Sequence, residues 1–165
     1  MKYWTKLTLT VIVIGLTACE SQPKPTVMID PSAQIIALER AALDRWGKGE
    51  PGGYLDLSAP EVTYFDPVRE TRVNSWDELK AYYAPITGKV KVTRVDLREP
   101  RVQYSNDMAV LSFQLISYGE KPGGPERPLA RWNSTEVYRR IEGAWKIIHT
   151  HWSYIKPDLK TAPLE

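Results

Sequence analysis

Hydrophobic spacing divides the chain into three regimes. An apolar stretch from Leu7 to Leu16 follows Lys2 and Lys6 and is shorter than the roughly 20 residues a helix needs to cross a bilayer, so it reads as the core of a signal peptide. Residues 19–29 are mostly polar and include Pro23 and Pro25, the composition of a short extended tether. From residue 30 onward, apolar positions recur at intervals that change from helical to alternating.

Ile35, Leu38, Ala42 and Trp46 repeat at helical spacing, Ser32 stands where a cap belongs, and Gly47 ends the pattern. Pro51-Gly52-Gly53 interrupts the chain. A short helical turn is expected over Tyr54 to Leu57, then a strand at Val62-Thr63-Tyr64-Phe65 stopped by Asp66-Pro67. Ser75-Trp76-Asp77-Glu78 is a capping box that starts a third helix. Beyond Gly88, strands are expected over Val90–Leu97, Arg101–Tyr104, Met108–Tyr118, Leu129–Arg140 and Ala144–Ser153. Asn106-Asp107 and Glu142-Gly143 form the tight turns, and Lys121-Pro122-Gly123-Gly124-Pro125 forms a longer hairpin loop. Helices first and a meander of long strands after them specify an α+β domain over 30–156, with a tail at 157–165.

In Met108–Tyr118 one face carries Val110, Ser112, Gln114, Ile116 and Tyr118, and the other Leu111, Phe113 and Leu115, so both faces look buried. One layer of helices covers one face. A second copy packed sheet to sheet, a homodimer, is the expected cover for the other, with a sheet curled over its own outer face as the alternative.

Leu16-Thr17-Ala18-Cys19 changes the picture of the leader. It resembles the lipobox of bacterial lipoproteins, which implies cleavage after residue 18, lipidation of Cys19, and membrane attachment on the outer side of the cytoplasmic membrane in the cell envelope. Cys19 is the only cysteine, so no disulfide framework competes for it. Glu20, in place of the aspartate associated with inner-membrane retention, implies the outer membrane. Removal of residues 1–18 takes two of the 22 basic residues and none of the 20 acidic ones, leaving a formal charge of zero. With charges mixed along the chain and no basic face, nucleic-acid binding is not expected.

The closing stretch from Glu136 through Gly143, Trp145, His149 and His151 to Ser153 resembles the end of NTF2-like domains. Its nearest branches are the SnoaL-like domains and the calcium/calmodulin-dependent protein kinase II association (hub) domain. Tyr64-Phe65-Asp66-Pro67 matches the aromatic, acid and proline that follow the first strand there. The resemblance implies a cone of three helices on a curved antiparallel sheet around a cavity, and it spans functions from isomerases to oligomerisation modules. In the hub branch the cavity carries arginines. The shared motifs align Gln114, Glu136 and Trp152 with them, so a small anionic ligand is not expected here.

Candidate chemistry is confined to a few residues. Glu136 shares a strand face with Trp132, Ser134 and Tyr138, so its carboxyl faces inward, either as a general acid or base or as a paired structural group. Asp66 lies at a strand end beside Tyr64, at an expected cavity mouth or in an ordinary turn. The pocket set is Trp46, Tyr64, Tyr83, Gln114, Trp132, Glu136 and Trp152, with core filling as the alternative for the aromatic members. His149 and His151 project from one strand face opposite Trp152, where packing on the outer face or at a dimer interface is expected rather than metal binding. No cofactor motif, nucleophile elbow, phosphate loop or Cys/His cluster occurs in the chain. Three functions follow: a binding domain for a small, largely apolar ligand or a partner protein, a cofactor-free isomerase, dehydratase or hydrolase using Asp66 or Glu136, or an oligomerisation module without ligand.

Overall fold

A computed structural model describes residues 29–120 and 123–156. The expected signal peptide, Cys19, the tether up to residue 28, Lys121-Pro122 of the hairpin loop, and the tail from 157 lie outside the described residues. Among the described residues, no helix is long and apolar enough to cross a membrane.

The chain runs α1 (Ser32–Gly47), α2 (Gly52–Leu57), β1 (Ser58–Phe65), α3 (Trp76–Tyr83), a 3-10 turn (Ala84–Ile86), β2 (Arg94–Ser105), β3 (Met108–Glu120), β4 (Glu126–Ile141) and β5 (Ala144–Tyr154). The expected helices-then-strands order holds, and the helices cover one face of a five-stranded sheet ordered β1-β5-β4-β3-β2. Four strands form the antiparallel meander. β1 joins it parallel to β5, which makes the sheet mixed where an antiparallel one is expected. Every strand pair contains a register shift, and such bulges bend and twist a sheet, here around the helices.

Helix starts show how local chemistry sets boundaries. Ser75 caps α3 by accepting the Glu78 N–H at 3.2 Å, as its box predicts, while the Glu78 carboxylate accepts the Asn74 N–H at 2.8 Å. The expected Ser32 cap of α1 does not form. Pro31 occupies the cap position, and the Asp30 carboxylate takes the Ser32 N–H at 2.8 Å instead. After α1 the chain reverses at Gly49, whose φ of +81° suits glycine, and a Cβ there would lie 3.0 Å from Gly88. The Gly88 N–H donates to Gly49 O at 2.8 Å, tying the end of α1 to the segment leading into β2.

β2 is one strand where two are expected. Glu99, at φ +48°, sits in a bulge between Arg98 and Arg101 and lets the strand continue past Pro100. The inner face of the sheet presents Leu111, Phe113, Leu115, Tyr138 and Ile147 to Ile35, Leu43, Tyr54 and Tyr83 from the helices. The outer face is mixed. Gln103, Gln114, Asn133 and Thr135 are exposed on it and Gln114 donates to Asn133 at 3.3 Å, whereas Ile116 is buried, Val110 and Val137 are half-buried, and Phe65 beside the two histidines is exposed.

Candidate functional site

The cone is open. A cavity of about 320 Å³ lies between the helices and the inner face of the sheet, in the range of small-molecule sites. α1 contributes Leu43 and Trp46, α2 contributes Tyr54, and β1 with the turn after it contributes Tyr64 and Asp66. α3 contributes Tyr83, and β3 to β5 supply Leu115, Ser117, Trp132, Thr150, Trp152 and Tyr154. The rings brace one another at their edges: Trp46 stands 5.1 Å from Tyr83 and 5.9 Å from Tyr54, and Trp132 stands 5.8 Å from Trp152. Such pairs hold the wall in shape without filling the space.

Trp46, Tyr64, Tyr83, Trp132 and Trp152 of the expected pocket set thus line the cavity. Gln114 does not. It alternates with Phe113 and Leu115, so it lies on the opposite face of β3, exposed and paired with Asn133. A motif alignment that slips by one residue on a strand reverses the face, and strand alternation is the better guide here.

Asp66 lines the cavity mouth. Its carboxylate accepts the hydroxyl of Tyr64 on one oxygen and the Val68 N–H at 2.8 Å on the other, so it is both a turn residue and a cavity group. Tyr82 stands nearby, and its burial with the Asp66 charge pushes its phenol up to about 12. Burial likewise drives Tyr64 and Tyr83 far above an ordinary phenol, so all three stay neutral donors.

Glu136 faces inward as its strand alternation requires, but it lies beneath the cavity wall, fully buried. Its partner there is a residue the sequence reading passed over, Glu39 of α1, also fully buried. Tyr54 donates to one Glu39 oxygen at 2.7 Å. The Tyr138 hydroxyl lies 2.9 Å from Glu136 and 3.3 Å from the second Glu39 oxygen, and Thr150 reaches Glu136 at 3.4 Å. No ion pair reaches either carboxyl among the described residues. Burial, foremost, and the charge of Glu39 push Glu136 well above the ordinary range, and burial raises Glu39. The Tyr138 hydroxyl lies between the two carboxyls, and with both raised the pair keeps a proton at a pH where exposed glutamates have lost theirs. Tyr54 and Thr150 belong both to this cluster and to the cavity wall, and so separate ligand space from acid pair by one side chain. Glu39 was legible: it sits four residues from both Ile35 and Leu43, in the middle of the buried stripe of α1.

His149 and His151 lie on the outer face. The Phe65 ring packs 5.8 Å from one and 5.7 Å from the other, and Thr63 hydrogen-bonds His149 Nδ1 at 2.8 Å. Among the described residues, no group of three or more metal-ligating side chains converges.

This cone matches known proteins at two levels. A candidate ketosteroid isomerase from Parabacteroides distasonis is 37% identical, with a TM-score of 0.67 over 81% of this chain and 95% of that one. The hub homology domain of Chlamydomonas reinhardtii (23% identical, TM-score 0.64, 77% and 100% covered) and the association domain of the C. elegans kinase (18%, 0.63, 73% and 93%) share the fold. An NTF2-like protein of Pseudomonas putida does as well, at 19% identity and a TM-score of 0.63 over 74% of this chain and 84% of that one. No curated protein matches the chain. Residues 32–156 match the sequence profile of the calcium/calmodulin dependent protein kinase II association domain, and with its cone of helices on a curved sheet the chain belongs to that family of NTF2-like domains.

Proposed function

We propose that this chain is a lipid-anchored envelope protein that binds a small, largely apolar molecule in its cone. The observation that carries this reading is the open cavity itself, about 320 Å³ in volume and walled by aromatic rings. A bare oligomerisation module has no use for such a space, and filling it with side chains would stabilise the core. Self-association is compatible with ligand binding: relatives are named as association domains and hubs, and the outer sheet face carries the exposed Phe65 ring and the half-buried Val110 and Val137. The neutral fluorescent probe N-phenyl-1-naphthylamine is expected to bind saturably and brighten. Ala130→Trp, which places an indole into the cavity, is expected to weaken that binding by about ten-fold or more, a loss of about 1.4 kcal/mol. An unchanged titration in a folded Ala130→Trp variant would exclude the cone as the binding place.

Anchoring follows from the lipobox-like Leu16-Thr17-Ala18-Cys19. Cells fed an alkyne-bearing fatty acid should label the protein, and Cys19→Ser should abolish the label. Label retained on the serine variant would end the lipoprotein reading.

A proton-transfer enzyme is the second reading, favoured by Asp66 at the cavity mouth among phenol donors and by a 37% identical relative named as a candidate ketosteroid isomerase. Asp66 would act as the base and a neutral tyrosine as hydrogen-bond donor to the developing oxyanion. Conversion of a β,γ-unsaturated ketosteroid to its conjugated isomer should then fall about 100-fold or more in kcat with Asp66→Asn. A rate indistinguishable from buffer in the unaltered protein would rule out this chemistry on this substrate.

A further inference from the structure

Three indoles and four phenols line the cavity, and among the described residues Asp66 is the only charged side chain in its wall. Several wall donors are already engaged, while among the described residues the Trp46 and Trp152 indole N–H groups and the Tyr83 and Tyr154 hydroxyls make no side-chain hydrogen bond. Tyr54 donates to Glu39, Tyr64 to Asp66, Thr150 to Glu136, and the Trp132 indole N–H to Ser117 at 3.2 Å. What the wall offers a ligand is therefore ring faces, a few indole and phenol donors, and the remaining acceptor capacity of one carboxylate.

An anion entering this space would leave its water without meeting a cation. A neutral ligand would gain apolar contact and hydrogen bonds to those donors, with no charge to satisfy. A cation would gain apolar contact, attraction to the negative faces of the rings, and the Asp66 carboxylate at the mouth. Among the described residues no Lys or Arg lines the cavity, and Arg69 is held away from it. Its guanidinium stacks 4.7 Å from the ring centre of Tyr82.

We propose that the ligand of this cavity is a small organic cation, an alkyl- or aryl-substituted ammonium whose apolar body fills the cone and whose charge lies near Asp66. This inference rests on the reading of the cavity as a ligand site and adds the charge of the ligand to it.

Three probes of similar body separate the possibilities when titrated into the purified chain and followed by tryptophan fluorescence: benzyltrimethylammonium, 2-phenylethanol and phenylacetate. The cation is expected to bind about ten-fold or more tighter than the neutral alcohol, and phenylacetate more weakly than either. Asp66→Asn keeps the side chain's size and an acceptor for the Val68 N–H. It should cost the cation about ten-fold while moving the alcohol by less than about two-fold. Equal or tighter binding of the alcohol or the carboxylate overturns the inference, as does an Asp66→Asn variant that binds the cation unchanged. Should that variant fail to fold, the ranking of the three probes on the unaltered protein decides alone. Binding of N-phenyl-1-naphthylamine without any preference for the cation defeats this inference and leaves the ligand site standing. Failure of every probe defeats both.

Discussion

Glu136→Gln is expected to flatten the pH dependence of folding. Glu39 and Glu136 are both fully buried, with their folded pKa values raised above the ordinary glutamate value of 4.5 by burial and, for Glu136, by its neighbour's charge. An unfolded chain gives up both protons near that ordinary value, while the folded pair holds on. The folded state thus binds more protons, and its stability is full below 4.5 and declines as pH rises through the folded values. Each proton kept only by the folded state contributes a slope of about 1.4 kcal/mol per pH unit. A glutamine at 136 keeps the shape, supplies an N–H to Glu39 and has no proton to lose. Urea unfolding at about pH 5 and about pH 9 should show the unaltered protein losing stability across that span, with the variant losing less by roughly one proton's slope. The variant should be the more stable of the two at the alkaline end. Parallel curves would mean that the pair does not keep a proton in the folded state.

What the sequence disclosed was local. The α3 capping box, the turns at Asn106-Asp107 and Glu142-Gly143, and the inward face of β4 each follow from residues a few positions apart, and each is present in the fold. The parallel pairing of β1 with β5 joins Tyr64 to Thr150 across most of the domain, and no local pattern encodes it. Pro100 made β2 look like two strands, because a proline signals a break unless a bulge at its neighbour absorbs it. Site residues divide in the same way. Trp46, Tyr64, Tyr83, Trp132 and Trp152 were legible as large rings on inward faces, whereas Gln114 was misplaced by a motif alignment that its own strand alternation contradicts. Glu39 escaped notice because a glutamate on a helix is ordinarily solvated. Only tertiary packing, through the Tyr138 hydroxyl that meets both carboxyls, brings it near Glu136.

That packing makes Tyr54 the residue on which cavity and acid pair jointly depend, and truncating it is expected to produce the largest loss of stability among the wall residues. Its ring is buried and meets Trp46 edge-on, and its hydroxyl donates to Glu39 at 2.7 Å. Tyr54→Ala should cost about 3–5 kcal/mol for the lost ring, with a further contribution from leaving a buried carboxyl short of a donor. Tyr54→Phe isolates that contribution: the ring stays, and the cost should be about 1–3 kcal/mol. The phenylalanine variant also removes a hydrogen bond that favours the ionised form of Glu39, so its loss of stability should grow as pH rises. Denaturant titrations of both variants at acidic and alkaline pH read the two effects separately. A Tyr54→Phe cost that ignores pH would show that the hydroxyl does not hold the Glu39 charge, and the wall would then be packing alone. If the cost does grow with pH, the same hydroxyl that closes the cavity floor also holds the acid pair's charge in place. Reshaping the floor would then necessarily retune the pair, and the ligand space and the buried carboxyls form a single polar unit.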